Sequence, residues 1–154
     1  GNKAGGITTI LEKSLGAVAK SGQAPLRAVY DYAAPITEPG LGFMDTPGYD
    51  PVSVTGLIAG GANLVCFTTG RGSALDTKPA PTLKLATNND VYRRMPDDMD
   101  INCGPVFSDG VPLRDKGLEI YNALLDLASG TMSNSEALGY GSNEFVPWHI
   151  GVVM

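Results

Sequence analysis

The stretch from Leu41 to Phe67 constrains the fold most, because its hydrophobic pattern changes period twice. Leu41 to Met44 is a short apolar run that reads as a buried strand. Asp50-Pro51 then makes a helix start, with Asp50 as cap and Pro51 at the first helical position. Val54, Leu57, Ile58 and Gly61 line one helical face, and Gly60-Gly61 closes the helix. Asn63 to Phe67 is an apolar run of the kind found in a strand covered on both faces. Strand, helix and strand in this order predict a parallel unit with a right-handed crossover.

The flanking segments extend the alternation. Thr9 and Glu12 have capping-box spacing ahead of a helix to about Lys20, and Leu11, Leu15, Val18 and Ala19 share one of its faces. Ser21-Gly22 ends it. Leu26 to Tyr32 is short, apolar and without clear period, and Pro35 to Gly40 reads as a loop. Pro81 to Ala86 is a third strand candidate, Asn88 to Met95 a short helix, and Met99 to Asn102 a further strand. Pro112 to Ala128 is the clearest helix, with Leu113, Gly117, Ile120, Tyr121, Leu124 and Ala128 on one face and Gly130 as the stop. Residues 131–154 read as an irregular tail packed on the domain. The expectation is a single α/β domain over 1–154, a mostly parallel sheet with flanking helices in a Rossmann-like three-layer architecture.

The chain has 154 residues, 43% of them hydrophobic and 18% charged, which suits one globular domain. A net charge of -5, with no basic run longer than Arg93-Arg94, argues against nucleic acid as a partner. No apolar run reaches bilayer length and no signal peptide is visible, so no membrane partner is expected. Cys66 and Cys103 fit a reducing, cytoplasmic setting, with Cys66 read as a buried thiol. His149 is the only histidine, and no Cys/His set has zinc spacing. The chain opens on Gly1-Asn2-Lys3-Ala4-Gly5-Gly6 rather than on Met, which suggests a piece of something longer.

Ligands of parallel α/β sheets bind beyond the carboxyl ends of the strands. Three predicted loops leave strand ends there: Asp45-Thr46-Pro47-Gly48, Thr68 to Ser73, and Thr87-Asn88-Asn89. Within Thr68-Thr69-Gly70-Arg71-Gly72-Ser73 the glycines admit close backbone approach to an anion, the hydroxyls donate, and Arg71 offers a planar fork for a carboxylate. A plain glycine-rich turn with a solvated arginine explains the same residues about as well. Asp97-Asp98-Met99-Asp100 and Asn102 are oxygen ligands of the type hard cations prefer, although a solvated acidic turn is the commoner meaning. Asp45 could ligate metal, act as a base or cap a turn. Lys78 and Lys84 could hold a carboxylate, with Lys84 favoured as an exposed residue on an alternating strand. Asn2 to Gly6 is either an anion nest before the first helix or a chain-terminal segment without a site. Trp148 and His149 read as packing.

The order of these segments resembles the altronate/galactarate dehydratase family. The resemblance rests on the opening Gly1 to Gly6 with Thr8-Thr9, Glu12-Lys13, Leu15-Gly16 and Lys20-Ser21-Gly22, and on Asp45-Thr46-Pro47-Gly48. It continues through Phe67 to Ser73, Pro79-Ala80-Pro81-Thr82, Lys84 to Asn88, Asp97 to Gly104, and Glu144 to Trp148. It implies the carboxyl-terminal part of an enzyme that dehydrates hexarates or hexonates to 2-keto-3-deoxy acids, in a family that includes a sulfolactate sulfo-lyase. It also implies a divalent metal, Fe(II) or Mn(II), amino-terminal domains of the same enzyme as partners, and room for a homo-oligomer. After Ser73 the sequence departs from many relatives, which carry a glycine near Asp76 in a loop expected to border the pocket.

Within that resemblance, Asp45 and Arg71 are the catalytic candidates. Thr46, Thr68, Thr69, Gly70, Arg71, Gly72, Ser73, Asn88 and Lys3 are the substrate-binding candidates, and Asp98 and Asp100 the metal candidates. Two rival readings stay open: a non-catalytic module that binds an anionic ligand, and an assembly domain with a large apolar interface.

Overall fold

A computed structural model describes Ala4 and residues 6–149. Its elements in chain order are α1 (Ile10–Lys20), β1 (Leu26–Tyr30), β2 (Leu41–Met44), α2 (Asp50–Ala59), β3 (Val65–Thr69), β4 (Thr82–Ala86), α3 (Asn89–Arg94), β5 (Ile101–Asn102), α4 (Pro105–Ser108), α5 (Leu113–Ala128) and α6 (Asn134–Ala137). The fold is α/β. Contacts group it into two compact units, one built from residues up to Val29 with Thr37–Phe43, the other from Tyr30–Ile36 with the chain from Met44 on.

The first unit is α1 and most of the β1–β2 ribbon. Thr9 caps α1: its Oγ1 accepts from the Glu12 N–H at 3.1 Å while Glu12 returns a bond to the Thr9 N–H at 3.0 Å. The helix therefore forms for local reasons. Its apolar face is not buried, and Leu11, Leu15 and Val18 all stay exposed.

The second unit is organised by a parallel three-stranded sheet in the order β3-β4-β5. The central strand β4 is buried at every position. Leu83 and Leu85 meet Ile101 and the Ile120, Ala123, Leu124 and Leu127 side chains of α5. Burying each such leucine contributes roughly 1.5–3 kcal/mol. Val65 and Phe67 point to the other face, where Val54 and Ile58 of α2 pack with Leu75 and Ala80. Helices thus cover both faces of the sheet.

Several expectations change. β2 pairs with β1, so the expected β2–α2–β3 unit does not lie in one sheet. Tyr49, not Asp50, is the cap residue of α2; Asp50 is already helical and makes no capping hydrogen bond. β3 is covered on one face only, which leaves Cys66 exposed rather than buried. On α5 the packed stripe is Ile120, Ala123, Leu124 and Leu127, while Leu113 and Tyr121 face solvent. The stretch from Thr131, expected to be irregular, carries α6 with its own capping box between Ser133 and Glu136.

Lys84 is the largest departure. It is completely buried in the middle of β4, not exposed, because β4 is central and both its faces are covered.

Candidate functional site

The carboxyl ends of β3, β4 and β5 carry three loops that bond to one another. After β3, Thr69 Oγ1 accepts from the Gly72 N–H at 3.0 Å and the Arg71 N–H at 3.3 Å, which curls the loop back on its strand. Gly72 has φ +99°, and a Cβ there would meet the Met95 sulfur, so glycine is required. The loop after β4 ties on: the Thr87 N–H donates to the Thr69 carbonyl at 3.0 Å, and the Asn88 amide donates to the Gly70 carbonyl at 3.1 Å. Asn88 also caps α3 by accepting from the Val91 N–H. Arg94, at the far end of α3, donates to the Arg71 carbonyl at 2.6 Å.

The β5 end joins through amides. Asn102 donates to Asn89 Oδ1 at 2.8 Å, Asn89 donates to Ser108 Oγ at 2.8 Å, and Asn102 Oδ1 accepts from the Gly104 N–H at 2.9 Å. A Cβ on Gly104 would lie 2.4 Å from the Asn89 backbone nitrogen, so glycine allows the two loops to touch. These loops border a pocket of about 320 Å³ lined by Thr87, Asn88, Asn89, Asp90, Arg93, Gly104, Phe107 and Ser108.

Thr69, Gly70, Gly72 and Asn88 are thus brought together as a scaffold. Thr68 and Arg71 are exposed, and the Arg71 guanidinium makes no hydrogen bond among the described residues. Ser73 Oγ is turned inward to accept from the Leu75 N–H. Lys3 lies outside the described residues. Sequence reading placed Asn89 in the loop after β4 and Asn102 in an oxygen-rich cluster but gave Arg94 no role; the bonds that join all three to this site exist only because α3 and β5 lie beside β4.

Asp45 and Thr46 line a second pocket, of about 380 Å³, with Asp31, Tyr32, Pro47 and Trp148. Trp148 packs edge-on against Tyr32, with ring centroids 5.2 Å apart, and burial pushes the Tyr32 phenol above its usual range.

Asp98 and Asp100 directly precede β5, with Asp100 beside Lys84 of β4. Asp100 is already engaged: one oxygen accepts from the Lys84 N–H at 2.6 Å, the other from the Asn134 N–H at 2.8 Å. Asp98 adds only one buried, unpartnered oxygen. Among the described residues no group of three or more His, Cys, Asp or Glu side chains could hold a metal ion. The pair does not fit a divalent cation, because both Asp100 oxygens serve the backbone and Asp98 alone is too few ligands.

Asp76, expected in a loop bordering the pocket, is buried. It lies close to Thr82 and Lys84 of β4, and burial pushes its carboxyl above the usual range.

A family model described as D-galactarate/Altronate dehydratase, C-terminal, matches residues 1–153. Altronate dehydratase of Bacillus subtilis (strain 168) is 38% identical over 136 residues, 88% of this chain and 27% of the relative. Galactarate dehydratase (L-threo-forming) of Escherichia coli (strain K12) is 36% identical over 130 residues, 84% of this chain and 25% of the relative. The (2R)-sulfolactate sulfo-lyase subunit beta of Chromohalobacter salexigens is 36% identical over 147 residues, 95% of this chain and 37% of the relative. The chain therefore spans between 25% and 37% of the length of these curated relatives.

Proposed function

This chain belongs to the D-galactarate/altronate dehydratase family, and on that premise we propose that it forms the carboxylate-holding part of a sugar-acid lyase. The reaction is elimination of water from a hexonate or hexarate to give a 2-keto-3-deoxy acid. The observation that carries this reading is the Arg71 loop: an exposed guanidinium, free of partners among the described residues, on a backbone fixed by Thr69, Asn88 and Arg94. Such a fork grips a carboxylate in bidentate fashion.

Elimination beside a carboxylate removes the proton from the adjacent carbon and places charge on an enediolate. The hydroxyl one carbon further then departs with a proton. Arg71 holds the carboxylate and opposes the charge that gathers on its oxygens. Thr68 and the Gly70 backbone supply further donors on the same loop. The proton acceptor, and the ligands of an Fe(II) or Mn(II) ion, are assigned to the remaining length that the relatives have and these residues do not cover. The partners of this reading are a sugar acid and those further domains, in a cytoplasmic enzyme.

The sulfo-lyase relative, which matches 95% of this chain, favours a second reading in which sulfite rather than water departs. The test is a complete enzyme containing this chain, loaded anaerobically with Fe(II) or Mn(II) and screened against hexarates, hexonates and sulfolactate. Formation of a 2-keto acid from altronate or galactarate supports the dehydratase reading. Sulfite release from sulfolactate alone supports the second. Binding without turnover of any of them leaves only a binding module.

A further inference from the structure

The second pocket is not used by the reading above, and its walls have a different chemistry. Tyr32 is fixed by a hydrogen bond from its hydroxyl to the Val52 carbonyl at 2.8 Å. It in turn pins Trp148 edge-on at an interplanar angle of 69°, which leaves Trp148 47% exposed. A pinned, half-exposed indole is a platform for the C–H face of a ligand. Asp31 and Asp45 present carboxylates with no side-chain partner among the described residues. Ionised carboxylates only accept hydrogen bonds, so they call for hydroxyl donors. Thr46 Oγ1 is held by Ser53 Oγ at 2.7 Å and so stays in place at the rim.

The backbone carries a further sign. Ala33, next to Tyr32, has φ +60° and is the only non-glycine residue with positive φ among the described residues. Strained backbone of this kind concentrates at binding and catalytic sites. The turn is closed by the Ala34 N–H donating to the Asp31 carbonyl at 3.1 Å.

A ligand for these walls needs several hydroxyl donors, a C–H face and no negative charge, since two carboxylates would repel a third. We propose that this pocket binds the uncharged polyhydroxyl end of an aldonic acid. Asp31 and Asp45 then select a monoacid over a diacid. The identity of the ligand rests on the sugar-acid reading above. The pocket would favour a hexonate over a hexarate, whose two ends are both charged, and over sulfolactate, which has a sulfonate as well as a carboxylate. It gives Asp45 a binding role in place of a catalytic one.

Trp148 is the only tryptophan of the chain, so its fluorescence reports this pocket directly. The experiment titrates the protein with D-altronate, D-galactarate and the neutral hexitol galactitol, each with and without Mn(II). Altronate and galactitol are expected to change the Trp148 emission without metal, with galactarate at least about tenfold weaker than altronate. Neutralising both groups, in Asp31→Asn/Asp45→Asn, should narrow the altronate-over-galactarate ratio. Salt should narrow it in the unmutated protein, which needs no variant to fold. An emission unmoved by altronate and galactitol overturns the proposal. So does a ratio that neither the substitutions nor salt alter, or a response that appears only with Mn(II), which would make this a cation site. The Arg71 reading is judged separately, by turnover in the complete enzyme. A failed titration with intact turnover removes only this proposal, and binding here without turnover removes only the dehydratase reading.

Discussion

Lys84 and Asp100 meet twice across the β4–β5 register. The Lys84 N–H donates to Asp100 Oδ2 at 2.6 Å, and the Asp100 N–H donates to the Lys84 carbonyl at 2.9 Å. The pair locks the short strand β5 to the central strand. It sits at the edge of a buried polar cluster in which Lys84 Nζ, Asp76 Oδ1, Asp98 Oδ1 and Thr82 Oγ1 lack hydrogen-bond partners. Groups buried in this way are costly unless water or one another satisfies them, so their titration should be visible in stability.

Burial holds the Lys84 ammonium below its ordinary value of 10.5, against the pull of Asp98, Asp100, Asp76 and Glu144. In the window below 10.5 the unfolded chain binds more protons at this position than the native one does. Stability from this group therefore rises with pH through that window. Relative to Lys84→Met, the unmutated protein should gain unfolding free energy as pH climbs toward 10.5. Urea melts of both proteins across that range check it, and a difference that stays flat would contradict it.

Asp76 has the opposite sign. Burial pushes its carboxyl above 3.8, so the native state keeps a proton that the unfolded chain has already lost. Stability from Asp76 is thus lost as pH rises through the window above 3.8. Asp76→Asn should be more favourable, relative to the unmutated protein, at neutral pH than in acid. Paired denaturation curves at the two conditions read this.

Asp100→Ala should destabilise the fold by about 2–4 kcal/mol, since it leaves the Lys84 and Asn134 N–H groups without acceptors. Mn(II) binding, measured by calorimetry on a variant that still folds, should be unaltered. A loss of metal binding with little loss of stability would restore Asp100 as a ligand.

Arg71→Lys in the complete enzyme should lower kcat/KM at least about tenfold, because an ammonium cannot replace the bidentate fork. The melting temperature should hold, since the guanidinium supports no described contact. Unchanged kinetics would make Arg71 a solvated loop residue.

Gly104→Ala should cost roughly 1–3 kcal/mol by overpacking. Its new methyl would lie 2.4 Å from the Asn89 nitrogen, which is backbone and cannot swing aside. Thermal unfolding tests this. Gly117→Ala is the control, because nothing lies within 4 Å of a Cβ there and it should be neutral or stabilising.

The sequence by itself determined what depends on neighbours a few residues apart. The Thr9–Glu12 capping box, the Gly60-Gly61 and Gly130 stops, the short helix from about Asn88 and the strand from about Pro81 to Ala86 are written in local spacing, and the structure has all of them. The polar loops at the ends of β3 and β4 were legible for the same reason. Tertiary structure alone decided which strand became central. That choice buried Lys84 and Asp76, exposed Cys66, and moved β2 into a separate ribbon. It also spent Asp100 on backbone donors from Lys84 and from Asn134, the latter 34 residues further along. No local pattern encodes these outcomes. A side chain's environment is set by segments that arrive from elsewhere in the chain, and alternation along one strand cannot tell whether its second face will be covered.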